Sequence, residues 1–363
     1  MAMAQALYVQ STLFTLRSEP PVRPLQFARN VVPRLGDSRS RYRQQLDASR
    51  YVLCAAQKPS KEELKRQTPS KPPAKYKKST SSQDEGEQEI EKAFAVFSWQ
   101  KYAEPFVAPW SGKSAALGML AWIVSFVGVG FAILPLAKLL AGPEGLAGLS
   151  QEDKAIFIFV NQVVETAVGI AVVRFAASKA APLPEGFFRI DFKSPFRKPD
   201  GWAAWGLLGV ILSPAVVFAA AASLEAIGIK DDPNARGTAD AVSQLLVLDP
   251  LTFASLFGTT AVLAPILEET VFRGFLLPSL GKIMPTPLAV LVSAVAFGLV
   301  HLSPRDTPQL TALGILLGFS YIRSKNLLTP MMIHGAWNGT VLCVLYYLQA
   351  NGVDVQKLIH GGI

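Results

Sequence analysis

Seven runs of apolar residues, separated by short polar stretches, follow one another from residue 115 to residue 348. A membrane-spanning helix needs about 20 apolar residues, and the fifth and sixth runs are shorter than that. The pattern predicts an all-α, polytopic integral membrane helical bundle with about seven transmembrane helices, of which the two short ones are full spans or re-entrant segments. The runs are 115–140, 155–177, 202–228, 251–280, 287–302, 309–322 and 327–348.

The polar stretches between the runs alternate in charge. Residues 141–154 and 229–250 are mainly acidic, whereas residues 178–200 and 323–326 are basic. Because basic loops stay on the side of the membrane from which a protein inserts, we expect the two basic stretches to share one compartment with the N-terminus.

Composition supports a membrane protein. Half of the 363 residues are hydrophobic and only 17% are charged, whereas soluble domains carry about 25% charged residues. Residues 1–113 hold 19 Lys and Arg against 11 Asp and Glu, and the remainder holds 16 of each kind. The net charge of +8 therefore comes from the N-terminal segment, and we predict no nucleic-acid partner.

That N-terminal segment reads as a targeting sequence. Residues 1–54 contain eight Arg, no Lys and three acidic residues, which is typical of an organelle transit peptide, and residues 51–56 resemble a chloroplast processing site. We predict a chloroplast transit peptide over 1–54, a disordered linker and interfacial segment over 55–113 and a C-terminal tail over 351–363. A disordered cytosolic tail is the alternative for 1–54; the first interpretation predicts a multi-pass protein of the thylakoid or inner envelope membrane.

Among the polar residues inside the apolar runs, six lie in the fourth, fifth and seventh runs and share a chemical pattern. A charged side chain at the centre of a membrane helix costs about 2.5–3.5 kcal/mol on insertion scales, so such residues usually face a bundle interior or a wet cavity and mark a functional site. They are Glu268, Glu269 and Arg273 in the fourth run, His301 in the fifth, and His334 and Asn338 in the seventh.

Their spacing assigns faces. Glu269 and Arg273 are four residues apart and can pair on one helix face, whereas Glu268 is rotated by about 100° and is free to face a cavity as a general base. His301 falls at the far end of its run, and His334 falls near the opposite end of the membrane. A shared site therefore requires the fifth run to be tilted or re-entrant.

Pairs of glycines mark close helix contacts. Gly314 and Gly318 are four apart in the sixth run, and Gly335 and Gly339 are four apart in the seventh. This spacing of small residues lets helix backbones approach each other within a membrane.

The same residues carry a family resemblance. Segments 268–273 (EETVFR), 297–301 (FGLVH) and 334–338 (HGAWN) resemble the three motifs of the CaaX protease and bacteriocin-processing family, which includes the type II CaaX prenyl endopeptidases, also called Abi or Rce-type intramembrane proteases. The surrounding sequence is similar to the plant plastid branch. The resemblance covers about residues 200–350 and predicts a transmembrane protease-like domain over 114–350, with a motif core at 250–345.

This resemblance implies a glutamate-dependent intramembrane endopeptidase. It assigns water activation to Glu268 with help from His301, and stabilisation of the oxyanion to His334 and Asn338. Glu269 and Arg273 would hold the motif helix in place.

An older interpretation of the family makes Glu268, His301 and His334 ligands of a catalytic zinc ion, and two His with one Glu is a known zinc set. We expect no cofactor, because no His-Glu-x-x-His pair is present, but zinc stays open.

The expected partners are the lipid bilayer and a peptide or protein substrate. The alternative function is a non-proteolytic membrane scaffold that binds plastid enzymes and regulates their stability. A transporter is a more distant third, because the sequence lacks the internal repeat symmetry of many transporters.

Overall fold

The computed structural model describes residues 108–184, 186–228 and 237–359, and within these ranges all regular structure is helical. The predicted transit peptide lies outside the described residues, as does nearly all of the predicted linker. Besides a short 3-10 helix at Gly145–Gly148, the nine longer helical elements of the described part are α1 Gly112–Ala141, α2 Gln151–Ser178, α3 Trp202–Ala226, α4 Thr238–Leu245, α5 Pro250–Leu280, α6 Thr286–Leu299, α7 Thr307–Ser324, α8 Leu328–Ala350 and α9 Val355–Ile359.

Each of the seven predicted apolar runs is a helix, so the all-α membrane bundle is confirmed. Within the described ranges, four helices (α1, α2, α3 and α5) are long and apolar enough to cross a membrane, and α6 is a shorter apolar helix of 14 residues. The total of seven spans stays a prediction, because α7 and α8 are not among the helices of the described ranges that are long and apolar enough to cross a membrane.

Helix α5 is the centre of the bundle. It contacts α1, α2, α6, α7 and α8, while α1 packs on α2, α6 packs on α7, and α3 packs on both α7 and α8. Phe272 and Phe275 of α5 are completely buried in this core. The helix that carries the first motif is therefore surrounded by the helices that carry the other two.

Two π-helical segments interrupt α5. They cover Gly258–Leu263 and Thr270–Leu276, on either side of the α-helical stretch Ala264–Glu269. A proline follows each one, Pro265 and Pro278, and proline has no N–H to donate to the carbonyl four residues earlier. Wider turns of this kind are frequent at functional sites, and here they flank the paired glutamates.

The first glycine pair of the sequence lies between α7 and α6, as predicted. A Cβ atom built on Gly314 would lie 3.0 Å from the Cα of Ala294, and one on Gly318 would lie 2.8 Å from the side chain of Val290. Larger residues at either position would push the two helices apart.

The second pair lets α8 approach α5. A Cβ atom on Gly339 would lie 3.1 Å from the ring of Phe257, and one on Gly335 would lie 2.4 Å from the carbonyl oxygen of Ala261. That oxygen belongs to the first π-helical segment and is the one to which Pro265 cannot donate. Because Gly335 has no side chain, α8 can pack close to α5, and this close packing sets the position of the neighbouring His334.

We expect Gly335→Ala to lower the free energy of unfolding by about 1–3 kcal/mol, because overpacking against a backbone atom forces the helices to shift. Thermal unfolding of the purified protein in detergent measures this. Gly128→Ala in α1 is the matched control, since a Cβ there meets nothing within 4 Å and removal of a helical glycine stabilises by roughly 0.5–1 kcal/mol. Equal shifts in the two variants would show that the close approach of α8 carries no stability.

The loop before α3 is bound to the turn between α7 and α8. The backbone N–H of Leu327 donates to the carbonyl of Arg189 (2.9 Å), and the Asn326 side chain donates to the carbonyl of Asp191 (2.7 Å). A hydrogen bond from the Arg189 side chain, followed by one from the backbone N–H of Lys193, lowers the pKa of the Asp191 carboxyl. The two basic stretches that were predicted to share a compartment are therefore in direct contact.

Only residues 108–113 of the predicted linker are described, and they pack against the helical bundle. The Trp110 ring is buried and stacks on Phe275 at a centroid distance of 5.0 Å, and its indole N–H donates to the hydroxyl of Ser279 (2.8 Å). The bundle therefore begins before α1, since the chain packs on the end of α5 from Ala108 onward.

Candidate active site

The first element of the site is a buried ion pair on α5. The guanidinium of Arg273 donates to Oε1 of Glu269 at 2.8 Å, and both side chains are excluded from solvent, with 1% and 0% exposed. A second N–H of Arg273 donates to the carbonyl of Gly314 in α7 (3.0 Å). The predicted pairing of these two residues is confirmed, and it also anchors α5 to α7.

His334 joins this pair from α8. Its Nδ1 lies 2.9 Å from the same Oε1 of Glu269 that Arg273 contacts. A carboxylate that is paired with an arginine only accepts hydrogen bonds, so His334 donates from Nδ1. The ring is thereby fixed with Nε2 on the side away from Glu269.

His301 follows α6 and is oriented in the same way. Its Nδ1 lies 2.8 Å from the backbone carbonyl oxygen of Phe297, which is also only an acceptor. In the neutral ring the proton is therefore on Nδ1, and Nε2 presents a lone pair.

The Phe297 ring forms the floor on which both imidazoles rest. Its centroid lies 4.9 Å from that of His301 and 5.5 Å from that of His334, in edge-to-face geometry. The guanidinium carbon of Arg273 lies 4.6 Å from the same ring centroid. Phe297 is fully buried, so it fixes the spacing of the two rings.

Glu268 completes the cluster. Its Oε2 lies 3.8 Å from Nε2 of His301 and 3.8 Å from Nε2 of His334. No hydrogen-bond partner of this oxygen lies among the described residues. The structure therefore brings His301 and His334 to one point, although residue counting along their runs places them at different depths.

An apolar cavity of about 280 Å³ opens beside Glu268. Trp122 and Phe126 of α1, Gln162 of α2 and Phe272 of α5 line it together with residues 300 and 302. Glu268 is slightly exposed, at 8%, while Glu269 is fully buried. The two adjacent carboxylates thus have different surroundings, as the helical rotation between them predicts.

Asn338 lies one turn after His334 on α8. Its side-chain N–H donates to the backbone carbonyl of Thr260 in the first π-helical segment (2.9 Å). This bond places the amide at the interface of α8 and α5, and the amide group retains a second N–H.

The zinc interpretation requires Glu268, His301 and His334 to act together as metal ligands. Both imidazoles have Nδ1 held by an acceptor, as zinc-binding histidines commonly do. However, no group of three or more His, Cys, Asp or Glu side chains within the described ranges is arranged to hold a metal ion.

Three parts of the site were not anticipated from the sequence. They are the contact of the Phe297 ring with His334, and the backbone carbonyls of Gly314 and Thr260 that receive Arg273 and Asn338. A carbonyl acceptor leaves no mark in the residue type that carries it, whereas Phe297 lies four residues before His301, on the same helix face.

Comparison with known proteins gives a consistent result. Residues 250–340 match the family model described as Type II CAAX prenyl endopeptidase Rce1-like. The chain is 31% identical over 107 residues to the putative membrane peptidase YdiL of Bacillus subtilis, and 30% identical over 88 residues to the membrane-embedded CAAX protease MroQ of Staphylococcus aureus. No solved structure matches.

The similarity to the two relatives covers a part of each chain. The two alignments cover 28% and 23% of this chain, and 44% and 36% of the relatives. The chain thus spans less than half the length of the curated relatives it matches.

Proposed function

Since residues 250–340 of this membrane protein match the type II CAAX prenyl endopeptidase Rce1-like family model, we propose that it is an intramembrane endopeptidase that cleaves a peptide bond with water activated by Glu268. The observation that carries the proposal is the convergence of Nε2 of both His301 and His334 on one oxygen of Glu268, at the wall of an apolar cavity.

The reacting water bridges Glu268 and His301. A separation of 3.8 Å is too long for a direct hydrogen bond, but one water oxygen at about 2.8 Å from each atom spans it. The water donates one proton toward Oε2 of Glu268 and the other toward the lone pair on Nε2 of His301. Its own lone pair then points away from both groups, toward the substrate carbonyl.

Glu268 is the general base. As the water oxygen bonds to the carbonyl carbon, Glu268 takes its proton, and it then gives that proton to the nitrogen of the breaking C–N bond. The products are a new carboxyl terminus and a new amino terminus. A carboxylate suits this cycle because it holds the proton only between two steps.

His334 and Asn338 stabilise the oxyanion of the tetrahedral intermediate. His334 already donates from Nδ1 to Glu269, so it can donate from Nε2 only as an imidazolium. Glu269, whose negative charge is shared with Arg273, stabilises that cation. Asn338 contributes the amide hydrogen that Thr260 does not use. Glu269 and Arg273 are positioning residues in this scheme.

The cavity beside Glu268 takes the apolar part of the substrate. Its walls are almost entirely aromatic and aliphatic, and Glu268 is the charged residue that lines it. Such a cavity favours a lipid-attached or strongly apolar segment next to the scissile bond.

Reconstitution tests the proposal. The full chain is placed in liposomes with a library of membrane-inserted reporter peptides, and mass spectrometry identifies new peptide termini. We expect termini that form with the wild-type protein and that do not form with His301→Gln, because that variant no longer orients the water. Identical termini with both proteins would rule out the assigned role of His301. If no termini form but partner enzymes are bound by both proteins, the non-proteolytic scaffold becomes the better account.

Metal removal distinguishes the two interpretations of the cluster. If Glu268 activates water directly, we expect dialysis against 1,10-phenanthroline to leave the cleavage rate unchanged. Loss of cleavage that Zn²⁺ restores would instead assign Glu268, His301 and His334 as zinc ligands.

We also propose a chloroplast membrane location, with residues 1–54 as the transit peptide, a linker over 55–113 and the protease domain over 114–350. The eight Arg and three acids of the first 54 residues support the location. Import of the labelled chain into isolated chloroplasts, with shortening near residue 54, is the expected outcome. An unprocessed, unimported chain contradicts it.

A further inference from the structure

A second cavity, of about 490 Å³, lies near the N-terminus of α8. It is enclosed by the loop before α3, the first residue of α3 and the turn between α7 and α8. None of the six polar residues of the candidate active site lines it. Its volume is within the range of about 300–1,000 Å³ that is usual for ligand pockets.

The cavity is strongly cationic. Five basic and two acidic residues line it, which gives a net charge of +3. Arg189 pairs with Asp191 and Arg323 pairs with Asp200, so the acids are already neutralised. The remaining three cations have no ion pair among the described residues: Lys193, Arg197 and Lys325.

Two buried N–H donors of the lining also lack an acceptor. The Arg323 side chain uses both terminal nitrogens, on Asp200 and on the carbonyl of Pro199, but its Nε has no partner within the described part of the chain. The same is true of Nε1 of Trp202. Because an unsatisfied buried donor is costly, these groups and the three cations favour a ligand with several acceptor oxygens and negative charge.

The rim of the cavity combines basic and exposed apolar side chains, a combination that suits a membrane surface. Between its basic residues the loop exposes three apolar side chains: Ile190 at 46%, Phe192 at 70% and Phe196 at 64%. Alternating cationic and aromatic residues are typical of chains that lie at the headgroup level of a bilayer. The cavity also lies where α3, a helix long enough to span the membrane, begins.

From these observations we infer that this cavity binds the phosphate- or sulfate-bearing headgroup of an anionic membrane lipid, with Lys193, Arg197 and Lys325 on the headgroup oxygens and Phe192 and Phe196 in the acyl boundary.

The cavity wall is linked by a hydrogen bond to α8, the helix that carries His334. Asn326 lies in the cavity wall, and its side-chain oxygen accepts from the backbone N–H of Leu328, the first residue of α8. His334 follows six residues later, about 9 Å along the helix axis. A headgroup that holds the loop against this turn therefore stabilises the end of α8 nearest to the active site.

Lipid binding to the purified full chain tests the inference. The protein in a neutral detergent is titrated with phosphatidylglycerol, phosphatidylcholine or inorganic phosphate, and native mass spectrometry counts bound lipid while thermal unfolding reports stabilisation. We expect one phosphatidylglycerol per chain to be retained, with a raised unfolding temperature, and neither effect from phosphatidylcholine. Stabilisation by inorganic phosphate equal to that by phosphatidylglycerol would overturn the assignment to a lipid.

Two triple variants distinguish binding in the cavity from a general effect of the protein's positive charge on lipid binding. Lys193→Ala/Arg197→Ala/Lys325→Ala removes the three unpaired cations, and we expect about 100-fold weaker phosphatidylglycerol binding, since each cation near an anionic lipid contributes roughly a factor of five. Lys113→Ala/Lys179→Ala/Lys198→Ala removes the same charge from exposed positions outside the cavity and should bind as the wild type does. All six side chains are exposed, so both variants are expected to fold. Equal weakening in both variants, or none in the first, contradicts the site.

Discussion

Replacement of Glu268 by Gln is expected to abolish peptide cleavage and leave the fold intact. The amide has nearly the same shape, but it cannot take a proton from water, and loss of a general base costs about 10²–10⁴ in rate. Oε2 of Glu268 has no hydrogen-bond partner among the described residues, and both histidines lie 3.8 Å from it. Its neutralisation therefore breaks no hydrogen bond of Oε2 in that part of the chain. The measurement is the initial rate of cleavage of a reporter peptide in liposomes, together with the thermal unfolding temperature.

Glu165→Gln is the matched control, because Glu165 is also a buried carboxylate inside an apolar helix. Among the described residues it forms no ion pair with either histidine, although its charge interacts electrostatically with that of Glu268, so we expect a smaller effect on the rate. An active Glu268→Gln protein, or an equal loss in both variants, is incompatible with a specific role for Glu268.

The second large effect concerns stability. Glu269→Gln leaves the guanidinium of Arg273 buried without its carboxylate, and removal of one partner of a buried ion pair costs about 3–5 kcal/mol. Because Glu269 also accepts from His334, the loss extends to the link between α5 and α8. Thermal or denaturant-induced unfolding in detergent should show a marked destabilisation.

Removing the second partner distinguishes an unpaired charge from lost packing. In Glu269→Gln/Arg273→Met the buried charge is gone, and replacement of a buried pair by apolar side chains is often close to neutral. We therefore expect the double variant to regain most of the stability lost in Glu269→Gln. A double variant less stable than the single one would mean that Arg273 acts mainly through Gly314 and Phe297.

Helical periodicity was enough to predict several features of this protein. Each apolar run is a helix, and residues four apart lie on one helix face, where Glu269 and Arg273 pair with each other. The charge alternation between runs predicted that the basic stretches around Arg189 and Lys325 share a compartment, and the two stretches are in contact, since Leu327 donates to the Arg189 carbonyl. These features depend on local spacing or on a rule of membrane insertion, and both are readable along one chain.

The sequence alone was less able to predict that His301 and His334 meet at one site. Counting residues separates His301 from His334 in depth, because it assumes straight helices of full span. The structure has a 14-residue α6 and a central helix with two π-helical segments, and such segments arise from prolines and packing that a regular repeat does not describe. The three motifs were placed at one site by family resemblance. The spacing of four put Phe297 on the same helix face as His301, but it did not predict the contact of Phe297 with His334.

The most direct test of the central claim is a double-mutant cycle on cleavage rate with Glu268→Gln, His301→Gln and the combined variant. Residues that act together on one water molecule are strongly non-additive. We predict that the combined variant is no slower than Glu268→Gln alone, because no activated water remains for His301 to orient. Losses that multiply in the combined variant would show that the two residues act independently, and would contradict a single water-activating site.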